Sequence, residues 1–423
     1  GVVYLYKGTW EGLVPWMKLQ ESDWGVNLHD GDGFGSHLLA ADIDGDGVTD
    51  LLVAAPSAAG IDSARGGAVF HYQGYARGGL VTRAWYDQES TRLGTNENGD
   101  LFGSALAAGD FDGDGKLDVA VGAPGETPGS HPKSGYVFLL RGSGFDILVG
   151  WQGVDEGALA SDVAGDDFGW SVAAGDLDFD GKAELIVGAP GKTNGAGAAF
   201  IFRGGASAMQ PQAMLTGPGT PAAADAYGKA VAVGAFDGVY IGATRRLELA
   251  IGAPGRAGSG RVYLEDVVFD GSLTNVQRIK TIDQSMVGWD NDAGDNFGSV
   301  LAVADPNRDL ADDLVVGVPA KHARGVDGNG AVELFAGSSS SSWMTGWTAY
   351  AQPQDGTLSA DDHFGSAVGV GYFRGQIPPG LVAGVSGKHV GGVASGAFVE
   401  FAGVNGAAPA FAQTVTEDVQ LRQ

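Results

Sequence analysis

The feature that most constrains the fold of this chain is a sequence unit that occurs six times. Each unit contains an aromatic residue followed by glycine, and these aromatic residues are Phe34, Phe102, Phe168, Tyr227, Phe297 and Phe364. Successive pairs are separated by 68, 66, 59, 70 and 67 residues. Repetition at a nearly constant period indicates that one supersecondary unit is copied and that neighbouring copies bury each other's apolar faces.

Each unit has the pattern of four short strands. In the second unit, the stretch Asp100–Pro124 holds an apolar run after Phe-Gly, an acidic loop, and a second apolar run that ends at Gly-Ala-Pro. An aromatic strand follows at 135–142, and a short outer strand at 147–151. Short, evenly spaced strands with glycines at the turns predict an all-β β-propeller with one four-stranded sheet per blade. A β-sandwich array would need linkers between the units, and a β-helix has a much shorter period.

The units do not divide the chain evenly. Residues 27–416 hold six complete units, residues 1–26 hold only the third and fourth strands of another, and residues 417–423 form a tail. We therefore expect one domain over residues 1–423, a seven-bladed propeller with six complete blades and one incomplete blade. The missing inner strands would precede Gly1 in a longer precursor. A six-bladed propeller with an appended hairpin is the alternative.

An incomplete blade would present an unpaired strand edge. Such edges invite pairing with another chain, so proteins usually cover them. We expect the C-terminal residues 414–423 or a partner chain to cover the edge of the first strand.

The acidic loop of the second unit has the composition of a calcium-binding loop. Asp110, Asp112, Asp114 and Asp118 stand at loop positions 1, 3, 5 and 9. Alternate carboxylates in a tight loop direct several oxygens toward one point, as a hard cation such as Ca²⁺ requires, and the backbone carbonyl of position 7 is a further candidate ligand. Four carboxylates within nine residues would repel one another if no cation neutralised them.

Four units carry such a loop, so we expect three to four Ca²⁺ ions per chain. The candidate ligands are Asp42, Asp44, Asp46, Val48 and Asp50; Asp110, Asp112, Asp114, Lys116 and Asp118; Asp176, Asp178, Asp180, Lys182 and Glu184; and Asp305, Asn307, Asp309, Ala311 and Asp313. The last loop has Leu310 where the others have glycine. In the remaining two units the ligand positions are taken by other residues, and no metal is expected there: Ala235 and Val239 in one unit, and Tyr372, Arg374, Gln376 and Gly380 in the other.

The Phe-Gly pair, the pattern DxDxDGxxD and the Gly-Ala-Pro signal together resemble the FG-GAP repeat. That repeat builds the seven-bladed propeller at the N-terminus of integrin α-subunits and also occurs in bacterial surface and secreted proteins. The resemblance covers nearly the whole chain. It implies a calcium-stabilised propeller, extracellular or on the cell surface, that serves recognition, adhesion or structure without catalysis. It also implies that the calcium loops lie on one face and that a protein or glycan ligand binds on the opposite face.

Composition excludes several other classes of protein. The chain has 25 Lys and Arg against 51 Asp and Glu, a net charge of −26, which excludes nucleic acid and anionic membrane surfaces as general partners. It has no run of about 20 apolar residues, so no membrane insertion is expected. It has no cysteine, which excludes disulfides and thiol chemistry.

No catalytic residue and no organic cofactor site is predicted. The seven histidines show no metal-ligand spacing, and neither a Gly-x-Ser-x-Gly motif nor a phosphate-binding loop occurs. The alternative function is a propeller enzyme, for example a polysaccharide lyase, or a lectin, acting on acidic glycans.

Two further patterns lie away from the acidic loops. Every unit has an aspartate two residues before its aromatic residue, which we expect to close a turn. Every complete unit also has a cation between its second and third strands. These cations are Arg65, Lys133, Lys192, Arg256, Lys321 with Arg324, and Lys388. Either they pair with the repeated aspartates, or they form a partly basic surface for an acidic partner or an anionic glycan.

Overall fold

The computed structural model confirms the all-β class and the four-stranded blades. It describes residues 1–25, 31–60, 64–76, 78–144, 147–220, 222–241, 244–268, 273–323, 325–326, 328–338, 343–353, 359–373, 379–390, 393–394, 396–404 and 407–416. Arg324, Arg374 and Gln376 lie outside these residues, as do residues 27–30 and the tail 417–423.

The chain begins with a two-stranded sheet, β1 (Val2–Thr9) and β2 (Gly12–Gln20). Six antiparallel four-stranded sheets follow, which we number blades 1 to 6. Blades 1 to 3 comprise β3 (His37–Ala41), β4 (Asp50–Ala55), β5 (Ala68–Gly74) and β6 (Leu80–Tyr86); β7 (Ala105–Gly109), β8 (Asp118–Ala123), β9 (Tyr136–Gly142) and β10 (Leu148–Val154); and β11 (Ser171–Gly175), β12 (Glu184–Ala189), β13 (Ala198–Arg203) and β14 (Gln210–Leu215).

Blades 4 and 6 each carry a small two-stranded insertion. In chain order the remaining strands are β15 (Ala230–Gly234), β16 (Tyr240–Ile241), β17 (Thr244–Arg245), β18 (Glu248–Ala253), β19 (Arg261–Val267) and β20 (Val276–Ile282); β21 (Val300–Ala304), β22 (Asp313–Val318), β23 (Ala331–Gly337) and β24 (Met344–Ala351); and β25 (Phe364–Gly371), β26 (Gly380–Val385), β27 (His389–Val390), β28 (Val393–Ala394), β29 (Ala397–Val404) and β30 (Ala407–Thr416). The insertions are the β16–β17 and β27–β28 pairs. Short helical turns lie at Glu21–Trp24, Gln88–Thr91, Glu156–Ala158, Lys192–Gly195, Arg256–Gly258 and Gln284–Val287.

The structure has six four-stranded blades, so the expectation of seven blades is not supported. The strands β1 and β2 pair only with each other in the described residues. Residues 414–416 were expected to help cover the edge of this hairpin. They belong to β30, where Thr416 pairs with Ala397 of β29. In that sheet β30 is the outermost strand and pairs along one edge only, and residues 417–423 lie outside the described part of the chain. Coverage of the hairpin edge by residues 414–423 or by a partner chain therefore remains a prediction.

The second strand of most blades is a continuous apolar run because it is covered on both faces. Every residue of β4, β8, β12, β18 and β22 is buried. A helix is disfavoured for these segments because each is only six residues long and lies between glycine-rich loops.

The Phe-Gly pair links each blade to the preceding one. The Phe102 amide donates to the Gly66 carbonyl at 2.7 Å, and the Phe168 amide donates to the Ser134 carbonyl at 2.8 Å. Both rings are fully buried. The glycine after the ring is required sterically: Gly169 has φ of 88°, and a Cβ there would lie 2.5 Å from the Tyr136 carbonyl oxygen. The motif that repeats in the sequence is therefore the joint between consecutive blades.

The chain divides into two compact units. The first comprises Gly1–Tyr4, Lys18–Val231 and Val268–Asn275, and the second comprises Leu5–Met17, Ala232–Val267 and Val276–Gln423. One core of the first unit contains Phe111, Leu139, Phe168 and Phe200. A core of the second contains Phe236, Leu264, Phe297 and Phe335. The expectation of a single domain over 1–423 remains a prediction.

Candidate metal centres

Four acidic loops join the first and second strands of blades 1, 2, 3 and 5. They span 42–50, 110–118, 176–184 and 305–313, and we number their positions 1 to 9. In every case position 9 begins the second strand, so a buried strand fixes the end of the loop.

The carboxylate at position 1 accepts hydrogen bonds from several backbone amides of its own loop. Asp110 Oδ1 accepts the amides of Gly113 (2.7 Å) and Asp114 (3.1 Å), and its Oδ2 accepts that of Gly115 (2.8 Å). The loop of blade 1 repeats this pattern around Asp42. Because several amides converge on one side chain, the turn holds the alternate carboxylates on its concave side.

Three of the predicted carboxylates converge in each of the first three loops. One oxygen from each member lies within 4.8 Å of the others in the sets Asp42, Asp44 and Asp50; Asp110, Asp112 and Asp118; and Asp176, Asp178 and Glu184. An all-oxygen donor set of this density fits Ca²⁺, which takes six to eight oxygen ligands. The residues at positions 1, 3 and 9 could therefore hold such an ion.

The structure does not bring the position-5 acids into these sets. Asp114 pairs with the Lys116 ammonium at 2.9 Å, and Asp180 pairs with that of Lys182 at 2.9 Å. Each of these lysines is the residue whose backbone carbonyl was predicted as the position-7 ligand. The lysine hydrogen bond holds the pKa of the Asp114 carboxyl below its usual range.

The position-9 acid also connects three strands, a role the sequence pattern did not indicate. Asp118 is fully buried; its Oδ2 accepts the Phe111 amide (3.1 Å) and its Oδ1 accepts the Gly142 amide at the end of β9 (3.0 Å). Asp50 makes the same two bonds, to Ile43 and Gly74. Burial, with the neighbouring Asp112 and Asp110, raises the pKa of Asp118 to about 6. A bound cation would oppose that rise by favouring the charged carboxylate.

Arginines of the third strand contact the position-3 acids of blades 2 and 3. Arg141 Nε lies 2.5 Å from Asp112 Oδ2, and Arg203 Nε lies 2.6 Å from Asp178 Oδ2. In blade 1 the corresponding residue is Gln73, which donates to Asp44 at 2.8 Å. The spacing of the acids alone does not indicate these partners, although both strands are followed through Arg-Gly in the sequence.

The loop of blade 5 keeps the same backbone pattern with a different donor set. Asp305 accepts the amides of Asp309 (3.1 Å) and Leu310 (3.1 Å), and Asn307 accepts that of Asp309 (2.8 Å). Leu310 adopts φ of 74°, the left-handed region that disfavours a side chain. Asn307 Nδ2 also donates to Asp309 Oδ2 at 3.2 Å. Because an amide replaces one carboxylate, positions 1, 3, 5 and 9 of this loop carry three carboxylates, against four in each of the other three loops.

In blade 4 an arginine lies among the acids. The Arg246 guanidinium pairs closely with Asp237, and it lies 3.2 Å from both Glu248 and Asp266. Glu248 keeps the strand-linking bond of position 9, accepting the Phe236 amide at 2.8 Å. Arg246 thus offsets part of the negative charge of these three acids, and the absence of a metal from this loop remains a prediction. In blade 6, Tyr372 is 61% exposed, and residues 374 and 376 lie outside the described part of the chain.

The repeated aspartate before each aromatic residue closes a turn, as predicted. In five blades its Oδ2 accepts the backbone amide three residues earlier, and the bonds involve Asp100, Asp166, Asp225, Asp295 and Asp362.

Four cations of the second-to-third-strand loops pair with these aspartates. The pairs are Arg65 with Asp32 (2.8 Å), Lys192 with Asp166 (2.8 Å), Lys321 with Asp295 (2.9 Å) and Lys388 with Asp362 (3.6 Å). Side-chain exposure is 9% for Lys192 and 4% for Lys321. Of the two interpretations of these cations, pairing with the aspartates applies to these four. Neither Lys192 nor Lys321 presents a free charge to a ligand.

The family model described as FG-GAP repeat matches residues 34–72, 102–140 and 168–202. These are the parts of blades 1 to 3 that contain the three converging acidic loops. The other three units found in the sequence are not among the matches. Among the described residues, no helix is long and apolar enough to cross a membrane.

Several curated proteins are similar to parts of the chain. Integrin alpha-7 of Mus musculus is 34% identical over 205 residues, which are 48% of this chain and 15% of that protein. Phosphatidylinositol-glycan-specific phospholipase D of Rattus norvegicus is 32% identical over 170 residues, which are 38% of this chain and 20% of that protein. The chain thus spans a fifth or less of the length of these relatives.

The chain also aligns with a solved structure, the periplasmic gluconolactonase of Pseudomonas aeruginosa. The alignment covers 98% of this chain and 96% of the gluconolactonase chain. The TM-score is 0.49 and the sequence identity is 13%, a likeness from which no function follows.

Proposed function

Because the chain is a β-propeller with FG-GAP repeats that resembles the N-terminal domain of integrin α-subunits, we propose that it is a calcium-stabilised recognition module. In this proposal it acts outside the cell or on its surface, in adhesion or as a structural module, and has no catalytic activity. The observation that supports this best is the convergence of three carboxylates at the same place in blades 1, 2 and 3.

The ions serve the fold in this proposal. Blades 1 to 3 each bind one Ca²⁺ through positions 1, 3 and 9, and blade 5 binds a fourth more weakly, giving three to four ions. All of these ligands lie in the loop that joins the two inner strands, and position 9 also bonds the third strand. A cation there removes the repulsion that otherwise opposes the folded loop, so it stabilises the blade.

The ligand of the module is a protein or a glycan, bound by loops at the blade ends opposite the acidic loops. The lysines of blades 3 and 5 are buried in ion pairs, so we assign recognition to other residues of those loops. A glycan array and a panel of extracellular-matrix proteins, probed with the intact chain in millimolar calcium and again in chelator, test this. Calcium-dependent binding supports the proposal. Equal binding in both conditions would contradict calcium-supported recognition.

The alternative function is an enzyme or lectin that acts on acidic glycans. The observation that favours a catalytic function is the similarity of part of the chain to a phospholipase D, which is an enzyme by its name. Incubation with uronic-acid polymers, followed by a measurement of unsaturated or reducing products, separates the two proposals. Product release in proportion to the amount of protein would replace the non-catalytic account.

A further inference from the structure

A buried lysine ammonium group occupies the equivalent position in blade 3 and in blade 5, at the ends of the blades opposite the acidic loops. In blade 5, Lys321 Nζ bonds Asp295 Oδ2 (2.9 Å), Asp292 Oδ2 (3.0 Å) and the Asp290 carbonyl (2.6 Å). In blade 3, Lys192 Nζ bonds Asp166 Oδ2 (2.8 Å) and the Ser161 carbonyl (2.5 Å), and lies 2.8 Å from Glu156 Oε1. Each of these two blades therefore has its own lysine site of the same design, built from acids and a backbone carbonyl.

In blade 2 the residue at the lysine position is Glu126. The backbone shows the equivalence: the Glu126 carbonyl accepts the Gly135 amide at 3.1 Å, as the Lys192 carbonyl accepts that of Gly197 (2.8 Å) and the Lys321 carbonyl that of Gly330 (3.1 Å). The acids around the position remain. Asp100 corresponds to Asp295, and Glu97, whose amide donates to Asp100 Oδ2 at 2.6 Å, corresponds to Asp292.

With Glu126 at this position, three carboxylates lie together where blades 3 and 5 have a lysine ammonium group. One oxygen each of Glu97, Asp100 and Glu126 lies within 4.8 Å of the others. Asp100 is 2% exposed, and Glu126 Oε2 is buried without a hydrogen-bond partner. The Gln88 side chain is fully buried and bonds Asp100 Oδ2 through Nε2 at 3.0 Å, while its Oε1 is also buried without a partner.

We propose that Glu97, Asp100 and Glu126 bind a divalent cation, which replaces the lysine ammonium of blades 3 and 5. The donors are all oxygen, so Ca²⁺ is the favoured ion. The site is separate from the acidic loop of the same blade. That loop ends at the first residue of β8 and Glu126 lies beyond the last, so about 20 Å of strand separates them. Because three carboxylates held this close together repel one another, the ion would fix the loop between β8 and β9.

The variant Glu126→Lys tests the site because it restores the residue found in the other blades. Bound calcium is counted on the intact chain at pH 7.5 by equilibrium dialysis with radioactive calcium. Glu126→Lys should bind one ion fewer than the wild type and should unfold at the same or a higher temperature in chelator. Asp112→Ala, which disrupts the acidic loop of the same blade, should also lose one ion, and the double variant should lose two. An unchanged count for Glu126→Lys would overturn the proposal.

Anomalous diffraction from crystals soaked in Mn²⁺ provides a second test that needs no variant. A peak between the carboxylates of Glu97, Asp100 and Glu126 is expected, in addition to those in the acidic loops. Peaks in the acidic loops with none at this cluster, at pH 8.5 where protons compete less, would show that the cluster holds no ion.

Discussion

At the residue scale, Arg246 shows what an acidic loop of this fold requires. The loop of blade 4 retains acids at Asp237 and Glu248, and the Arg246 guanidinium lies between them. In blades 2 and 3, Arg141 and Arg203 contact the position-3 acids, and Arg203 also lies 3.1 Å from the position-5 acid Asp180. Positive charge is therefore present at the acidic loops of blades 2, 3 and 4, and in blade 4 one guanidinium contacts both retained acids.

Substitution of one acid in each type of loop should separate calcium-dependent from calcium-independent stabilisation. Asp112→Ala should remove the part of the unfolding free energy that calcium provides, about 2.7 kcal/mol when calcium is at 100 times its dissociation constant. Asp237→Ala should destabilise equally with and without calcium because it removes the nearest of the three acids that pair with Arg246. Chemical denaturation of both variants in calcium and in chelator measures this. A calcium-dependent loss in Asp237→Ala would contradict the assignment.

Loss of a buried lysine should be costly. Lys192→Met leaves Asp166 and Glu156 without their ammonium partner, and breaking a buried pair in this way costs about 3–5 kcal/mol. Lys133→Met, the same substitution at an exposed lysine of blade 2, should change the unfolding free energy by less than about 0.5 kcal/mol. Urea denaturation compares the two. Similar small losses would show that these lysines do not support the fold.

The sequence identified the acids of the loops but not their partners. Asp110, Asp112 and Asp118 were found because their spacing alone implies convergence. Arg246 was missed because it follows an insertion, so its place in the loop depends on the β16–β17 hairpin. The Glu126 site was missed because its three acids are separated by up to 29 residues of sequence, and only the fold brings them together.

At the scale of the element, strand β23 carries a glutamate where the third strands of blades 1 to 4 carry aromatic residues. Glu333 is fully buried and neither of its side-chain oxygens has a hydrogen-bond partner. Burial raises the pKa of Glu333 to about 8. The folded state thus holds a proton on Glu333 that the unfolded state releases near pH 4.5. The contribution of this group to the unfolding free energy is therefore fully present below pH 4.5 and is lost as the pH rises through 8.

Glu333→Gln should remove this pH dependence. The amide is neutral at all pH values, so the variant should gain unfolding free energy over the wild type at pH 9 and differ little from it at pH 4.5. Thermal unfolding at both pH values, in constant calcium, checks the difference. An equal effect of the substitution at pH 4.5 and pH 9 would show that Glu333 does not titrate between them.

The N-terminal hairpin should be needed for stability although it completes no blade. Within the first unit, Val3 and Leu19 are buried, and Trp24 Nε1 donates to Tyr72 Oη at 2.7 Å. Within the second unit, the Tyr6 ring lies 5.1 Å from that of Phe398. Deletion of residues 1–26 should therefore lower the melting temperature and the soluble yield. Unchanged values would show that the hairpin is dispensable.

The elements themselves were largely predictable. Phe-Gly and Gly-Ala-Pro, or close variants of them, mark strand ends in every complete unit, so the four-stranded blades followed from local patterns. The number of blades did not, because closure depends on how strands β1 and β2 pair, and no local signal in residues 1–26 sets that. The small β16–β17 and β27–β28 insertions were missed because two-residue strands have no periodicity to detect.

At the scale of the whole molecule, charge is the property that calcium changes most. The chain has a formal charge of −26, and many of its acids lie in the four acidic loops. Each bound Ca²⁺ removes two negative charges at a point where carboxylates already converge. Self-repulsion should therefore oppose folding most strongly in chelator at low ionic strength.

The central claim, that calcium bound in the acidic loops stabilises the propeller, is tested most directly by thermal unfolding of the intact chain across a calcium titration. The protein is first treated with chelator, and bound calcium is counted by metal analysis at each point. The melting temperature should rise with calcium concentration, as mass action requires, while three to four ions bind in the acidic loops and one more binds at Glu97, Asp100 and Glu126. A melting temperature that stays constant from chelator to millimolar calcium, with no calcium retained, would contradict it.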